Sequence, residues 1–183
     1  GMEASEVTRV SDVLIQTQNL GKTTVAELSS AMGKVIPTAN AYGVSLEQLA
    51  AGYAIMTANG VATAESTTYM NSMQKEIRKS GTGVSNILKE ETGKSFKELS
   101  DSGMSLSEVL SIIDEAAQGQ NKAFSDMWSS SEAGKAGLIL LGDSAENFNQ
   151  TLGKMQSASG ATETAFSKLN TESFELQKAQ NQL

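Results

Sequence analysis

The 183-residue sequence contains no cysteine, no histidine, one proline and one tryptophan, and only 5% of it is aromatic. Without Cys and His there is no disulfide framework, no thiol nucleophile and no Ser-His-Asp triad, and nearly every zinc-site pattern is excluded. Most enzyme chemistry is excluded with them. Long apolar runs are also missing. The densest, "AGLILLG" at 136–142, has seven residues, against the roughly 20 that span a bilayer, so no membrane segment is expected. Cations are in deficit, with 14 Lys and Arg against 21 Asp and Glu and a net charge of −7. A phosphate-tracking surface draws its affinity from Lys and Arg, so no direct nucleic-acid binding is expected. The start, "GMEASEV", lacks a basic segment followed by an apolar one and is not a secretory signal. Gly1 ahead of Met2 is what a segment cut from a longer chain would show.

What is present is helical periodicity. Apolar residues recur at helical spacing nearly everywhere and alternate at strand spacing almost nowhere, which predicts an all-α fold. Val7, Val10 and Leu14 mark a first helix ending near Gly21, and Val25, Leu28, Met32 and Val35 mark a second, capped by Thr24 with Leu28 facing inward. Pro37 must stop or kink that second helix, because it has no N–H and restricts Ile36. "PTANAYG" then makes a short helical turn starting at proline and ending at Gly43. Ser45 with Gln48 forms a capping box before a stripe of Leu46, Leu49, Ala50, Tyr53 and Met56.

Downstream, Gly60 closes that helix and Thr63 opens another, carrying Tyr69, Met70, Met73 and Ile77 and broken by the two glycines of "KSGTGVS". Val84, Ile87 and Leu88 form a short amphipathic piece. "GKSFKELSDSGM" has no clear periodicity. Ser105 and Glu108 make a second capping box before Leu106, Val109, Leu110, Ile113, Ala116 and Ala117, the strongest stripe in the chain. Ala123, Phe124, Met127 and Trp128 share a short face. "SSSEAGKAGLILLGD" supplies serine caps, a buried Leu138–Leu141 core and Gly142 as terminator. Asp143 with Glu146 starts a helix bearing Phe148, Leu152 and Met155, and Gly160 breaks it. Leu169, Leu176 and Leu183 then recur every seven residues, but Phe166, Ser173 and Gln180 are mostly polar companions, so a coiled coil there is weakly coded.

Several local signals invite sharper readings. "NLGKTT" at 19–24 ends like a phosphate-binding loop, yet Gln16 stands where that loop needs glycine and no strand precedes it, leaving a helix-to-helix turn. Glu65 in "TAESTTYM" has the look of a lone lytic-transglycosylase glutamate, but a first-turn acid near a helix N-terminus explains it better. The acid pairs Glu90–Glu91 and Asp114–Glu115 are read as solvated helix ends rather than glycosidase carboxylates. Trp128 with Met32, Met56, Met70, Met73 and Met127 falls on the same faces as Leu and Ile, which favours ordinary core over a partner groove. No catalytic, cofactor-binding or metal-binding residue is assigned, and no small-molecule ligand is expected.

Four features in order carry family information: a lysine-valine segment ending at proline, "GVSLEQLAA", an "NG" break before an alanine-rich helix, and a glycine-bounded "GLILL" near the end. They lie within "AMGKVIPTANAYGVSLEQLAAGYAIMTANGVATAESTTYMNSM", "GMSLSEVLSIIDEAA" and "FSDMWSSSEAGKAGLILLGDSAENF", and cover about residues 24 to 155. This order closely resembles the core region of phage tail tape measure proteins of the minor-tail type. Residues 82–100 and the two ends depart from the pattern. The resemblance implies a fragment of a long structural protein of a tailed phage or prophage, made in the bacterial cytoplasm and housed in the lumen of the virion tail. It further implies roles in tail length, tail assembly and DNA passage. The implied partners are tail tube and tail assembly proteins, tail chaperones and further copies of itself. A helical export or signalling module is the alternative, and its two long uninterrupted helices are opposed by the glycines. A peptidoglycan-cleaving enzyme is a more distant one. The expected organisation is an N-terminal helical extension over 1–23, a compact multi-helix core module of short helices over 24–158, and a C-terminal helical or weakly coiled-coil extension over 159–183.

Overall fold

Ser and Thr side chains start six of the helices in the computed structural model, which describes residues 4–142, 145–162, 164, 165 and 168. In chain order the helices are α1 (Ala4–Leu20), α2 (Val25–Met32), α3 (Ile36–Ala41), α4 (Leu46–Ala58) and α5 (Thr63–Arg78). After them come α6 (Gly83–Thr92), α7 (Phe96–Asp101), α8 (Leu106–Gly119), a 3-10 turn (Phe124–Met127), α9 (Ser131–Leu141) and α10 (Ala145–Gln156). No strand occurs among the described residues, and the fold is all-α as expected.

The caps follow the local chemistry. Thr24, Ser95 and Ser105 each accept the N–H three residues on, while Glu27, Glu98 and Glu108 reach back to the cap backbone, closing three full capping boxes. Ser45 Oγ accepts the Gln48 N–H at 3.1 Å, but the reciprocal Gln48 side-chain bond is absent, so the expected box there is a simple serine cap. The proline sits in the first turn of α3, where its missing N–H removes no helical bond. By then α2 has already ended at Met32, and the turn between the two helices buries Val35 completely. Gly43, at φ +73°, closes the corner in a left-handed conformation that a side chain would strain. Its carbonyl accepts the Ser100 hydroxyl at 3.2 Å, which pins the proline corner to α7.

The centre of the molecule is α4. Sequence periodicity predicts one buried stripe on it, but every residue from Leu49 to Thr57 is buried. The reason is the run Ala50, Ala51, Gly52 and Ala54: small residues let neighbours press on every side of the helix, and α1, α5, α9 and α10 all pack against it. Gly52 lets Met70 of α5 lie close, since a Cβ there would come 2.7 Å from Met70 Sδ and the methionine would have to shift. The Tyr53 hydroxyl, buried with its ring, is satisfied by Thr67 Oγ1 at 2.6 Å. Around this axis α5 packs along α9, while α8 packs against α6, α9, α10 and the 3-10 turn. The expected α8 stripe, Leu106, Val109, Leu110, Ile113, Ala116 and Ala117, is buried throughout.

Three local expectations are corrected. Leu138 is 52% exposed rather than core, because α9 turns Ala133, Gly134, Ala136, Gly137, Leu140 and Leu141 inward and Leu138 lies on the opposite side. Val7 is 49% exposed, whereas Leu14 packs partly buried against the core and α1 also buries Asp12, Val13 and Thr17 against the body. The segment without clear periodicity contains α7, whose Phe96 and Leu99 are both buried. Asp143 and the heptad positions Phe166, Leu169, Ser173, Leu176, Gln180 and Leu183 lie outside the described residues.

Candidate functional site

The residues singled out for chemistry are placed in structural roles. "NLGKTT" is the turn from α1 to α2. Its Lys22 N–H donates to Thr57 Oγ1 at 3.1 Å, and Thr23 and Thr63 hydroxyls meet at 2.7 Å, so the turn is sewn to α4 and α5. Glu65 is an exposed first-turn residue of α5 that accepts the Tyr69 hydroxyl at 2.6 Å, and this contact raises the Tyr69 pKa above its ordinary value. Glu90 and Glu91 are exposed on the last turns of α6. Asp114 accepts Gln118 Nε2 at 2.7 Å, and Glu115 is exposed. Trp128 and the five methionines Met32, Met56, Met70, Met73 and Met127 are all buried in the core. The Trp128 ring lies 5.7 Å from Phe124, and Gly137 leaves room for both, since a Cβ there would come within 2.8 Å of the Phe124 ring. Among the described residues no three acids gather as a metal-ligand cluster, and no helix is long and apolar enough to cross a membrane.

Two buried acids organise the fold instead. Glu76 of α5 is only 9% exposed, and its carboxylate accepts the N–H groups of Ser129 and Ser130 at 2.7 Å each. These are orphan donors at the start of α9, where a negative charge is favoured, so one helix caps another across the core. Asp12 of α1, 4% exposed, accepts the N–H groups of Gly160 and Thr162 at 3.0 and 2.9 Å. It ties the first helix to the turn that follows α10. The Thr162 N–H foremost, with the Gly160 N–H, holds the Asp12 carboxyl below its ordinary pKa against the opposing effect of burial. Neither acid stands out in the sequence. The signal for Glu76 is its place between Met73 and Ile77 on an apolar face; for Asp12, it is adjacency to Val13.

A groove runs between the α2–α3 arm and α5. Along one wall Ala26, Ser30, Lys34, Thr38 and Tyr42 follow at four-residue spacing; along the other run Ala64, Thr68, Asn71, Lys75 and Arg78. A cavity of about 660 Å³ at the α2 end meets a second of about 490 Å³ at Asn71, and that one shares Tyr42 and Arg78 with a third of about 280 Å³ reaching Lys89 and Lys97. The α2 end is lined by alanine and hydroxyl side chains, and the α3 end by cations. The Arg78 guanidinium lies over the Tyr42 ring, a cation–π arrangement, and burial lowers its pKa to about 10.

Comparison with known proteins places this body. The sequence profile of phage-related minor tail proteins matches residues 1–129. The chain is 41% identical over 175 residues to a protein of Clostridium phage phiCD119 named "Probable tape measure protein". That alignment covers 92% of this chain and 18% of the phage protein, so the chain spans under a fifth of that relative's length. No solved structure matches. The chain belongs to the phage-related minor tail protein family.

Proposed function

We propose that the segment is a folded, non-enzymatic module within a tape-measure-type tail protein. It works in the lumen of the virion tail during tail assembly, in setting tail length and in passage of DNA. Its core module spans 24–158, with helical extensions over 1–23 and 159–183. The observation that carries the reading is the unbroken burial of α4 from Leu49 to Thr57. A helix enclosed on all sides is stable only inside a packed body, so this stretch does not act as a simple extended rod. The 41% identity to a tape measure protein supplies the tail context.

The two modes of action differ in length. An in-frame deletion of residues 45–141 would remove roughly 145 Å of ruler if the stretch were one extended helix, at about 1.5 Å per residue. Removing a folded module changes the span by only a small-domain diameter, on the order of 30 Å. Virions carrying the deletion, imaged by electron microscopy, are expected to show absent or defective tails. Infectious virions with tails shortened by the full extended-helix value would overturn the module reading.

A further inference from the structure

We propose that the groove between the α2–α3 arm and α5 is a docking site for an acidic amphipathic helix of another polypeptide. The inference stands on the groove's own chemistry and does not depend on the tail assignment.

The first observation is the gathering of positive charge on a molecule that is negative as a whole. Lys34, Lys75, Arg78 and Lys79 line the groove, and Lys89 and Lys97 continue it past Arg78. Lys75, Arg78 and Lys79 are spaced three and four residues apart on one helix, so they repel one another. The carbonyl end of α5 offsets part of that repulsion. It does not explain why Lys34 of the α2–α3 turn and Lys89 of α6 line the same groove at its other positions. Among the described residues the acids nearby are Glu27, which lines the α2 end while closing the Thr24 capping box, Glu98, which closes the Ser95 box within electrostatic reach of Lys89, and Asp101, which pairs with Lys97 at 2.6 Å. Arg78, half-buried over Tyr42, has no carboxylate partner among the described residues.

The second observation is the lining between the charges. Asn71 stands where two cavities join and lines both of them. Toward α2 the lining is Ala26, Ser30, Ala31, Ala64 and Thr67, small enough for a helix to approach closely. From Ala64 to Lys79 the wall is about 22 Å long, the length of about four helical turns. Helix-in-groove recognition needs this combination, an apolar floor for the anchors and complementary charge for the register. A nucleic-acid strand fits less well, because its phosphates need cations along the whole length. The α2 half of the groove supplies only Lys34, at its edge.

The test uses the whole 183-residue chain, labelled with nitrogen-15, and synthetic peptides of about 16 residues built on alanine and leucine. One carries glutamates in two adjacent turns, the other lysines at the same places. An oligothymidylate of similar charge is the third probe. The expected result is that the glutamate peptide binds at least about tenfold more tightly than the lysine peptide. Its amide shifts should be confined to groove residues such as Ser30, Thr38, Asn71 and Arg78. The exposed pair Lys75→Glu and Lys79→Glu should weaken that binding at least about tenfold while the chain stays folded, and Lys154→Glu on α10 should leave it unchanged. Tighter binding of oligothymidylate at the groove would make it a nucleic-acid site and overturn the proposal. So would self-association of the chain through the same residues, equal binding of both peptides, shifts elsewhere on the surface, or no binding up to about 1 mM.

Discussion

Leu110 and Leu138 carry the same side chain into opposite surroundings. Leu110 is fully enclosed in α8, as is Ile113, whereas Leu138 is half in solvent on α9. Leu110→Ala or Ile113→Ala should therefore lower stability by roughly 2–5 kcal/mol, the range for deleting a buried aliphatic side chain. Leu138→Ala should stay within about 0.5 kcal/mol. Urea titration followed by circular dichroism reads all three, and comparable losses at Leu110 and Leu138 would place the core wrongly. Asp12 gives the residue-scale prediction for pH. Its folded pKa is lowered, principally by the Thr162 N–H, so it stabilises the fold above its unfolded pKa of about 3.9. That contribution disappears as pH falls through the folded value. Glu98 and Glu108, each lowered by the N–H of its own cap serine, titrate in the same direction. Asp12→Asn should reduce stability at neutral pH and leave a shallower, not a flat, acid limb. An acid limb as steep as the parent's would show that the Asp12 contact contributes nothing to the fold.

At the scale of elements, helices join through side chains as well as through apolar faces. Glu76→Ala would remove the carboxylate that accepts the part-buried Ser129 and Ser130 N–H bonds at the start of α9, a loss on the order of 1–3 kcal/mol for hydrogen bonds to a charged group. Glu90→Ala, at an exposed position, should be close to neutral, and thermal melts of the two variants side by side make the comparison. Which elements the sequence discloses follows from how each is stabilised. The cap at Thr24, the box at Ser105 and the breaks at Gly43 and Gly60 are local, so they are readable from a few neighbouring residues. Ser95-Phe96-Lys97-Glu98 carries the same box, yet α7 has only Phe96 and Leu99 to bury in six residues, too few to set up a period. The complete burial of α4 and the outward turn of Leu138 depend on which helices arrive from elsewhere. Periodicity along one segment carries no information about that.

For the whole molecule, family resemblance was readable because four motifs keep their order along the chain, and the match over residues 1–129 agrees with it. The groove was not readable. Its cations at Lys34 and at 75–97 are separated in sequence by α3 and α4, and only the folding of the proline corner beside α5 brings Tyr42 onto Arg78. The helices that pack around α4, namely α1, α5, α9 and α10, make one packed body of the chain. That packed state is the central claim, because it separates a folded module from a length of rod. Small-angle X-ray scattering on residues 4–162 tests it directly. A packed chain of this size has a radius of gyration of about 15 Å. The same residues as a single extended helix would form a rod about 240 Å long, with a radius of gyration of roughly 70 Å. A value near 15 Å with a cooperative melt is the predicted result, and a rod-like profile with a value several times larger would contradict it.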